Sequence, residues 1–416
     1  MNFKKSFALS ILFVLLALPS IAFAEGFGVY EWSTGGVAMS ENYMFAEEDP
    51  AVLAYNPAAI TRLDGTYFSV GGTFVDAHNK TKFTTLRGVS DHSNNYCPAT
   101  IPYTYFVKKT ADNSWWGLAI FARYGNQIEY DKLWPGRYDT TYSGIKGMTI
   151  QPTYGWKVNS KLSAAVGLDI NYMGLVMERG LPTDLLGLPR QDFRLDGTSV
   201  RLGGVLSFMY DFTENTSAAL VYRTRVKHSM TADIDINGQR YTKGRGSVTL
   251  PDSITFGLGH KFNGGKTRVE FDAVWTNWST YDRLTIAFDK PLMGGLVPVS
   301  DSEKAWKASW RLGLGIEHKL SQQWSVLGGY VWDQSPTPDS TMDFTVPTGD
   351  RHRFSVGFKY RPSKKGEWTL AYSAILAGDR TVKSHLPSPA TGADFLKGEL
   401  HSGLTQLVSL GYTIKF

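Results

Sequence analysis

Polar and apolar side chains alternate with a period of two along the C-terminal residues 404–416. One face carries apolar side chains, namely Val408, Leu410, Tyr412, Ile414 and Phe416. The other face carries small or polar ones, namely Ser409, Gly411, Thr413 and Lys415. Because successive side chains of a strand point to opposite faces, the segment is predicted to be a strand. In a membrane barrel the apolar row of such a strand meets lipid and the polar row lines the lumen.

The same alternation recurs along the whole chain, in about fourteen segments. Its clearest instance lies at 306–317, where one row holds Trp306, Ala308, Trp310, Leu312, Leu314 and Ile316. The predicted strands cover approximately residues 65–76, 100–110, 114–124, 144–158, 161–175, 198–212, 215–228, 248–262, 267–278, 306–319, 323–333, 350–361, 366–378 and 404–416.

The connections between these segments also alternate, in length. Short turns such as 213–214, 263–266 and 321–322 take every second junction, and long polar segments such as 229–247 and 279–305 take the others. Outer-membrane barrels combine short periplasmic turns with long outer loops. We therefore predict an all-β fold, an antiparallel transmembrane β-barrel of about 14 strands that spans residues 65–416. Its location is predicted to be the outer membrane of a Gram-negative cell.

The N-terminus has the pattern of an export signal. Lys4 and Lys5 precede an apolar stretch, residues 7–18, that is too short to span a bilayer as a helix. Residues 22–24, Ala-Phe-Ala, form a small-x-small cleavage site. Residues 1–24 are therefore predicted to be a signal peptide, and the mature chain to begin at Glu25.

Residues 25–64 lack the strand pattern and are predicted to form an N-terminal plug in the barrel. A barrel of this size would otherwise be an open pore, because lumen size grows with strand number. The charged residues on the inward rows would give such a plug polar partners: Arg201, Arg223, Arg225, Glu270, Asp272, Arg311 and Arg353.

An ordered set of motifs along the mature chain resembles one known family. The motifs are GFGVYE at 26–31, GGVA at 35–38, AEEDPAVLAYNPAA at 46–59, LPD at 250–252, VWTNWSTY at 274–281, WRLGLG at 310–315, GYVWDQSP at 329–336 and PTGDR at 347–351. They are similar to those of the FadL family, outer-membrane transporters of long-chain fatty acids and related hydrophobic compounds.

The resemblance implies a 14-stranded barrel plugged by an N-terminal hatch, and transport without energy input. Ligand would be captured from outside in a hydrophobic groove between long loops and pass to a deeper pocket. A hatch movement and a gap in the wall at the third strand would then let it leave sideways into the outer membrane.

The resemblance also assigns gating positions to this chain. Asn56, Pro57 and Ala58 match the family's hatch motif, although Asn before Pro commonly begins a turn for purely structural reasons. Gly125 falls where the family's third strand kinks, and a glycine within a strand often marks a bend. A plain strand end at Gly125 is the alternative.

A second group of positions is implied to bind ligand. Phe27 matches a hatch aromatic residue that contacts ligand, with ordinary plug packing as the alternative. Arg179 matches a basic residue near the ligand carboxylate; it could instead be a rim residue paired with Glu178. Lys304 is the nearest match to a second family cation. Four leucines of an outer segment are candidates for the ligand groove, or for a loop mini-core: Leu181, Leu185, Leu186 and Leu188.

Other kinds of function leave no signal in the sequence. No serine–histidine motif, phosphate loop or metal-ligand spacing is present, so no catalytic residue, cofactor or metal is predicted. The single Cys97 excludes an internal disulfide. The formal net charge of +5 is dispersed without a basic run, which argues against nucleic acid. Four tryptophans near strand ends are predicted to form the interfacial girdle: Trp115, Trp116, Trp278 and Trp306.

The expected partners follow from the location and the fold. They are a hydrophobic small molecule, most simply a long-chain fatty acid, the lipids and lipopolysaccharide of the outer membrane, and the barrel-assembly machinery. Three alternatives remain open: the same fold carrying aromatic hydrocarbons or other neutral hydrophobic compounds, a surface-display or adhesion barrel, and a general porin.

Overall fold

The computed structural model describes residues 26–85, 88–347, 349–383 and 397–416. The predicted signal peptide 1–24 and Glu25 lie outside these residues, so that prediction is not tested by the structure. Within the described part of the chain, no helix is long and apolar enough to cross a membrane.

Nearly all of the regular structure is strand. The strands are β1 (Thr66–Thr85), β2 (Gly88–Ser93), β3 (Ala99–Ala111), β4 (Ser114–Phe121), β5 (Gly125–Glu129), β6 (Tyr142–Lys157), β7 (Leu162–Leu181), β8 (Gln191–Asp211), β9 (Thr216–Arg223), β10 (Val226–Ile236), β11 (Gln239–Leu250), β12 (Ser253–Phe262), β13 (Thr267–Thr276), β14 (Arg283–Leu292), β15 (Val297–Glu303), β16 (Ser309–Lys319), β17 (Trp324–Asp333), β18 (Arg351–Tyr360), β19 (Gly366–Ala377), β20 (Arg380–Lys383) and β21 (Lys397–Lys415).

These strands form one closed antiparallel barrel of 14 strands. Several barrel strands consist of two consecutive pieces: β4 and β5 form the third, β9 and β10 the seventh, and β13 and β14 the ninth. The barrel closes where β21 pairs with β1, from Tyr67 opposite Lys415 to Val75 opposite Leu407. The predicted fold class is confirmed, and each predicted strand segment overlaps one barrel strand.

The structure differs from the prediction in the outer connections. Residues 229–247 and 279–305 were expected to be loops, but most of their length continues the barrel wall as hairpins, β10–β11 and β14–β15. The β10–β11 turn is Asn237-Gly238, with φ of 51° and 77°, the left-handed conformations that a two-residue hairpin turn requires. In β10 and β14 the alternation persists, but the apolar side chains face the lumen, the opposite of a lipid-facing strand.

The N-terminal residues 26–63 lie inside the barrel. They contain α1 (Thr34–Ala38), α2 (Val52–Tyr55) and a 3₁₀ helix (Pro57–Arg62), and nearly all of their side chains are buried. Ser33 caps α1 by accepting a hydrogen bond from the Gly36 N–H at 3.0 Å. The remaining 3₁₀ helices, Asp184–Leu186, Asn263–Gly265, Trp278–Thr280 and Met293–Gly295, lie between strands.

Inward-facing glycines let the plug backbone approach the wall. A Cβ at Gly329 would lie 2.1 Å from the Met39 carbonyl carbon, so only glycine fits there. Buried ion pairs attach the plug as well. Arg353 bonds Glu31 at 2.7 Å and Glu41 at 2.9 Å, at a side-chain exposure of 5% for the arginine.

The predicted inward charges are mostly placed as expected. Five are buried inside the barrel: Arg223, Glu270, Asp272, Arg311 and Arg353. The prediction was wrong for the other two, which are exposed. Arg225 pairs with Asp252 at 3.2 Å, and Arg201 donates to the Val200 and Ser229 carbonyls. Both lie where the regular ladder between β8 and its neighbour is interrupted.

Candidate functional site

The wall of the barrel is interrupted in its third strand. β4 ends at Phe121 and β5 begins at Gly125, so residues 122–124 leave the ladder. The start of the plug fills the break: the Val29 N–H donates to the Arg123 carbonyl, and the Gly125 N–H donates to the Phe27 carbonyl, each at 2.9 Å. Phe27 and Gly125, two predicted site residues, are thus hydrogen-bonded. The wall is closed here by the plug.

An apolar cavity of about 490 Å³ lies beside this break, which is within the size range of small-molecule sites. Its walls come from the plug, both pieces of the third strand and the strands around the barrel closure. They include Val29, Ile101, Ile145, Met148, Ile375 and Leu407. A hydrophobic molecule here would lie between the plug and the wall break.

A cluster of aromatic rings surrounds Phe27 in the lumen. Its ring centroid lies 4.8 Å from Trp278, 5.5 Å from Tyr281, 5.8 Å from Trp306 and 6.1 Å from Tyr124. Phe27 itself is buried. The plug therefore presents its first aromatic side chain to a lumenal surface made of rings.

This cluster corrects the prediction for the tryptophans. Trp278 and Trp306 are buried in the lumen, and so is Trp115, whose indole N–H donates to the Leu63 carbonyl at 2.6 Å. Of the four, only Trp116 is on the outer surface. Proximity to a strand end did not predict the girdle correctly, because one face of a strand end points to the lumen and the other to the membrane interface. For Trp306, β16 begins only at Ser309, so the alternation does not extend back to it.

A second cavity, of about 320 Å³, lies higher in the lumen and brings together Arg179 and Lys304. Its apolar wall includes Phe193, Leu284 and Ile286. The Arg179 guanidinium lies over the Phe193 ring at 5.4 Å and donates to the Ser300 hydroxyl at 3.3 Å.

Arg179 and Lys304 differ in how their charges are neutralised. Among the described residues, no carboxylate oxygen lies within 4.0 Å of the Arg179 guanidinium. Lys304, in contrast, forms a buried ion pair with Asp343. Burial alone raises the pKa of Asp343, but the adjacent Lys304 ammonium brings it below its ordinary value. The cavity thus holds one cation in a contact ion pair and one, Arg179, whose nearby carboxylate, Asp139, lines the cavity without forming an ion pair with it.

The alternative pairing of Arg179 with Glu178 is excluded. Glu178 lies on the opposite face of β7 and forms an ion pair with Arg194 on the outside of the barrel. Arg179 therefore points into the lumen as a separate group.

The four candidate groove leucines divide into two environments. Leu181, the last residue of β7, is buried with the lumenal apolar residues. Leu185, Leu186 and Leu188 are exposed around the outer turn Asp184–Leu186. They form an apolar patch at the outer end of the barrel, and their proposed role in ligand capture stays a prediction.

Asn56, Pro57 and Ala58 lie near the opposite end of the plug. The Asn56 side chain donates to the Met44 carbonyl at 3.0 Å and accepts from the Ser207 hydroxyl at 2.7 Å. The Ala58 N–H donates to the same hydroxyl at 3.1 Å. The motif therefore attaches the plug to β8, and its gating role stays a prediction.

Several lumenal residues were not recognised from the sequence. Trp278 and Tyr281 belong to the VWTNWSTY motif, which could have identified them as lumenal, whereas nothing in the sequence marks Asp343 as the partner of Lys304. Within the described residues, no group of histidine, cysteine, aspartate or glutamate side chains could hold a metal ion.

A closed 14-stranded barrel with an internal plug and apolar lumenal cavities defines a plugged outer-membrane transport barrel. The chain belongs to the outer membrane protein transport protein family (OMPP1/FadL/TodX), whose model matches residues 15–416. It is located in the outer membrane, as predicted.

Individual relatives are similar over nearly their full length. The chain is 24% identical over 409 residues to the long-chain fatty acid transport protein of Escherichia coli K12, covering 88% of this chain and 91% of that one. It is 23% identical over 427 residues to the putative outer membrane protein NMB0088 of Neisseria meningitidis, covering 88% and 90%.

Solved structures share the fold at low identity. A FadL homologue of Pseudomonas aeruginosa superposes with a TM-score of 0.83 at 18% identity, covering 94% of this chain and 100% of that one. The toluene transporter TodX of P. putida superposes with a TM-score of 0.68 at 18% identity, covering 95% and 99%.

Proposed function

We propose that this protein carries long-chain fatty acids passively across the outer membrane. The observation that carries the proposal is Arg179, a lumenal guanidinium with no carboxylate oxygen within 4.0 Å among the described residues, in a cavity that has an apolar side made by Phe193, Leu284 and Ile286. An anionic head on an apolar tail satisfies both parts of this site, since a desolvated carboxylate needs a charged donor. Similarity to fatty acid transport proteins supports the same cargo.

The proposed route begins at the outer end of the barrel. The exposed leucines Leu185, Leu186 and Leu188 would hold the apolar tail, which gains free energy by leaving water. The molecule would pass to the cavity of Arg179 and Lys304 and then along the aromatic cluster of Phe27.

Exit would occur at the break in the third strand. Residues 25–64 act as the hatch in this proposal. Withdrawal of Phe27 from Gly125 would open the wall at the 490 Å³ cavity, with Asn56, Pro57 and Ala58 holding the other end of the hatch. The cargo would then enter the membrane sideways, without crossing a polar pore.

A neutral aromatic cargo is the second candidate. The ring cluster around Phe27 favours it, and so does the neutralisation of Lys304 by Asp343. The similarity to TodX, described as a toluene transporter, adds to this candidate.

Replacement of Arg179 by Ala distinguishes the two. Loss of one charge-assisted contact should weaken oleate binding by about 1.5–3 kcal/mol, and binding of oleyl alcohol should hardly change. Isothermal titration of the detergent-solubilised barrel measures both affinities.

Arg194→Ala is the matched control, because Arg194 lies on the outside of the neighbouring strand. Equal losses for acid and alcohol in Arg179→Ala would mean that the guanidinium only supports the structure. No loss for either would favour the neutral cargo.

A further inference from the structure

The ion pair between Lys304 and Asp343 lines the same cavity as Arg179, together with the Asp139 carboxylate. Both side chains of the pair are nearly inaccessible to water, with side-chain exposures of 5% and 11%. A carboxylate bound at Arg179 would therefore approach a second cation that already has an anionic partner supplied by the protein.

Asp343 lies in an outer segment, residues 341–346, that this ion pair links to Lys304. The Thr341 hydroxyl donates to the Lys304 carbonyl. The Thr345 N–H and its hydroxyl both donate to the Asp343 carboxylate, the N–H at 3.0 Å. One carboxylate thus holds Lys304 and the local fold of the segment together.

The same segment holds the upper piece of the interrupted third strand. The Asn126 side-chain amide donates to the Thr345 carbonyl at 2.9 Å. Phe344 packs edge-on against Trp134 at 5.2 Å, and Met342 and Phe344 are completely buried against Ile128 and Tyr130. Residues 341–346 therefore connect the cation cavity to β5, the piece that borders the break.

We propose that Asp343 is a resident counter-ion that a ligand carboxylate displaces from Lys304, and that this displacement releases residues 341–346 from β5. This inference rests on the proposed function, because it needs an anionic ligand. Two carboxylates cannot share one buried ammonium without repulsion, so the arriving anion drives Asp343 toward water. A neutral molecule of the same length leaves the ion pair and the contact with β5 intact.

Asp343 then determines the selectivity between acid and alcohol as well as the release of residues 341–346. In the native protein, displacement of Asp343 from Lys304 offsets part of the attraction between the ligand carboxylate and Lys304. In Asp343→Asn the competitor is removed, so oleate should bind about tenfold more tightly. Oleyl alcohol should bind as before.

Asp339→Asn is the control for this variant. Asp339 belongs to the same outer connection and pairs with Arg380 on its exposed side at 2.7 Å. Its replacement should leave both affinities unchanged. Unchanged or equally altered affinities for acid and alcohol in Asp343→Asn would overturn the counter-ion role.

Hydrogen exchange on the unmodified protein tests the release itself, and it does not depend on the folding of a variant. Oleate should increase amide exchange several-fold in peptides covering 122–130 and 341–346, whereas oleyl alcohol should not. Unchanged exchange with oleate, or the same increase with the alcohol, would overturn the release.

The two proposals fail in different ways. If oleate binds through Arg179 but Asp343→Asn does not change the ratio of acid to alcohol affinities, only the counter-ion inference falls. If Arg179→Ala does not change the affinity for oleate, the proposal of an anionic cargo is wrong, and the counter-ion inference that rests on it is wrong as well.

Discussion

Polar and apolar side chains alternate both in the part of the barrel within the membrane and in the part outside it. The apolar side chains face outward in the first part and inward in the second. The outward residues of β8 change from Arg194 and Asp196 in the upper part to Leu202, Leu206 and Phe208 in the lower part. A single strand therefore has a charged outer surface above the membrane and an apolar one within it.

The inward surface changes in the reverse sense. The ninth barrel strand carries Glu270 and Asp272 inside the lower part, against the plug, and Leu284, Ile286 and Phe288 inside the upper part. The difference arises from what each face contacts. Lipid requires apolar side chains, a polar plug requires charges, and a hydrophobic cargo outside the membrane requires an apolar lumen surrounded by water.

Removal of an inward charge from the lower part should have the largest effect. Arg353→Ala leaves Glu31 and Glu41 buried without their guanidinium, and this should reduce the free energy of unfolding by about 3–5 kcal/mol. Urea unfolding in lipid vesicles measures the change. Arg194→Ala, in a half-exposed pair on the outside of the upper part, should cost under about 1 kcal/mol. Similar costs for the two would remove the distinction between the two parts.

Addition of an outward charge tests the lipid-facing surface. Leu206→Lys places an ammonium near the middle of the lipid-facing row of β8 and should reduce the free energy of unfolding by about 2–4 kcal/mol. Thr198→Lys lies on the same face of β8, higher up, and should have almost no effect. If both substitutions cost the same in vesicle unfolding experiments, the change of polarity along β8 does not mark the membrane boundary.

Removal of an apolar side chain from the upper lumen tests whether the inner surface of the upper part binds the apolar tail of the ligand. Phe193 packs against Phe288 at 6.1 Å and forms part of the wall beside Arg179. Phe193→Ser should weaken oleate and oleyl alcohol equally, by up to about 1.5–3 kcal/mol, as titration would show. Asp196→Ser, outward on the same strand, should leave both affinities unchanged, and an effect on only one ligand would contradict an apolar role.

Much of this molecule could be predicted from the pattern of residues alone. The apolar rows of the lower strands, such as Ile254, Phe256 and Leu258 on β12, predicted a lipid-facing surface, and their recurrence predicted the strand number. The ordered set of motifs, from residues 26–31 to residues 347–351, indicated the family. These features are local, because alternation and motifs need only neighbouring residues and a strand has a fixed period.

Tertiary structure decided which face of each strand points inward and which residues contact one another in the lumen. Residues 226–236 alternate as regularly as the lower strands, but their apolar face points inward because the segment lies above the lipid. The rings of Phe27, Trp278 and Trp306 gather from distant parts of the chain, and Asp343 reaches Lys304 across a loop. Alternation specifies two faces of a strand. Only barrel closure, insertion of the plug and depth in the membrane determine whether each face meets lipid, water, the plug or the lumen.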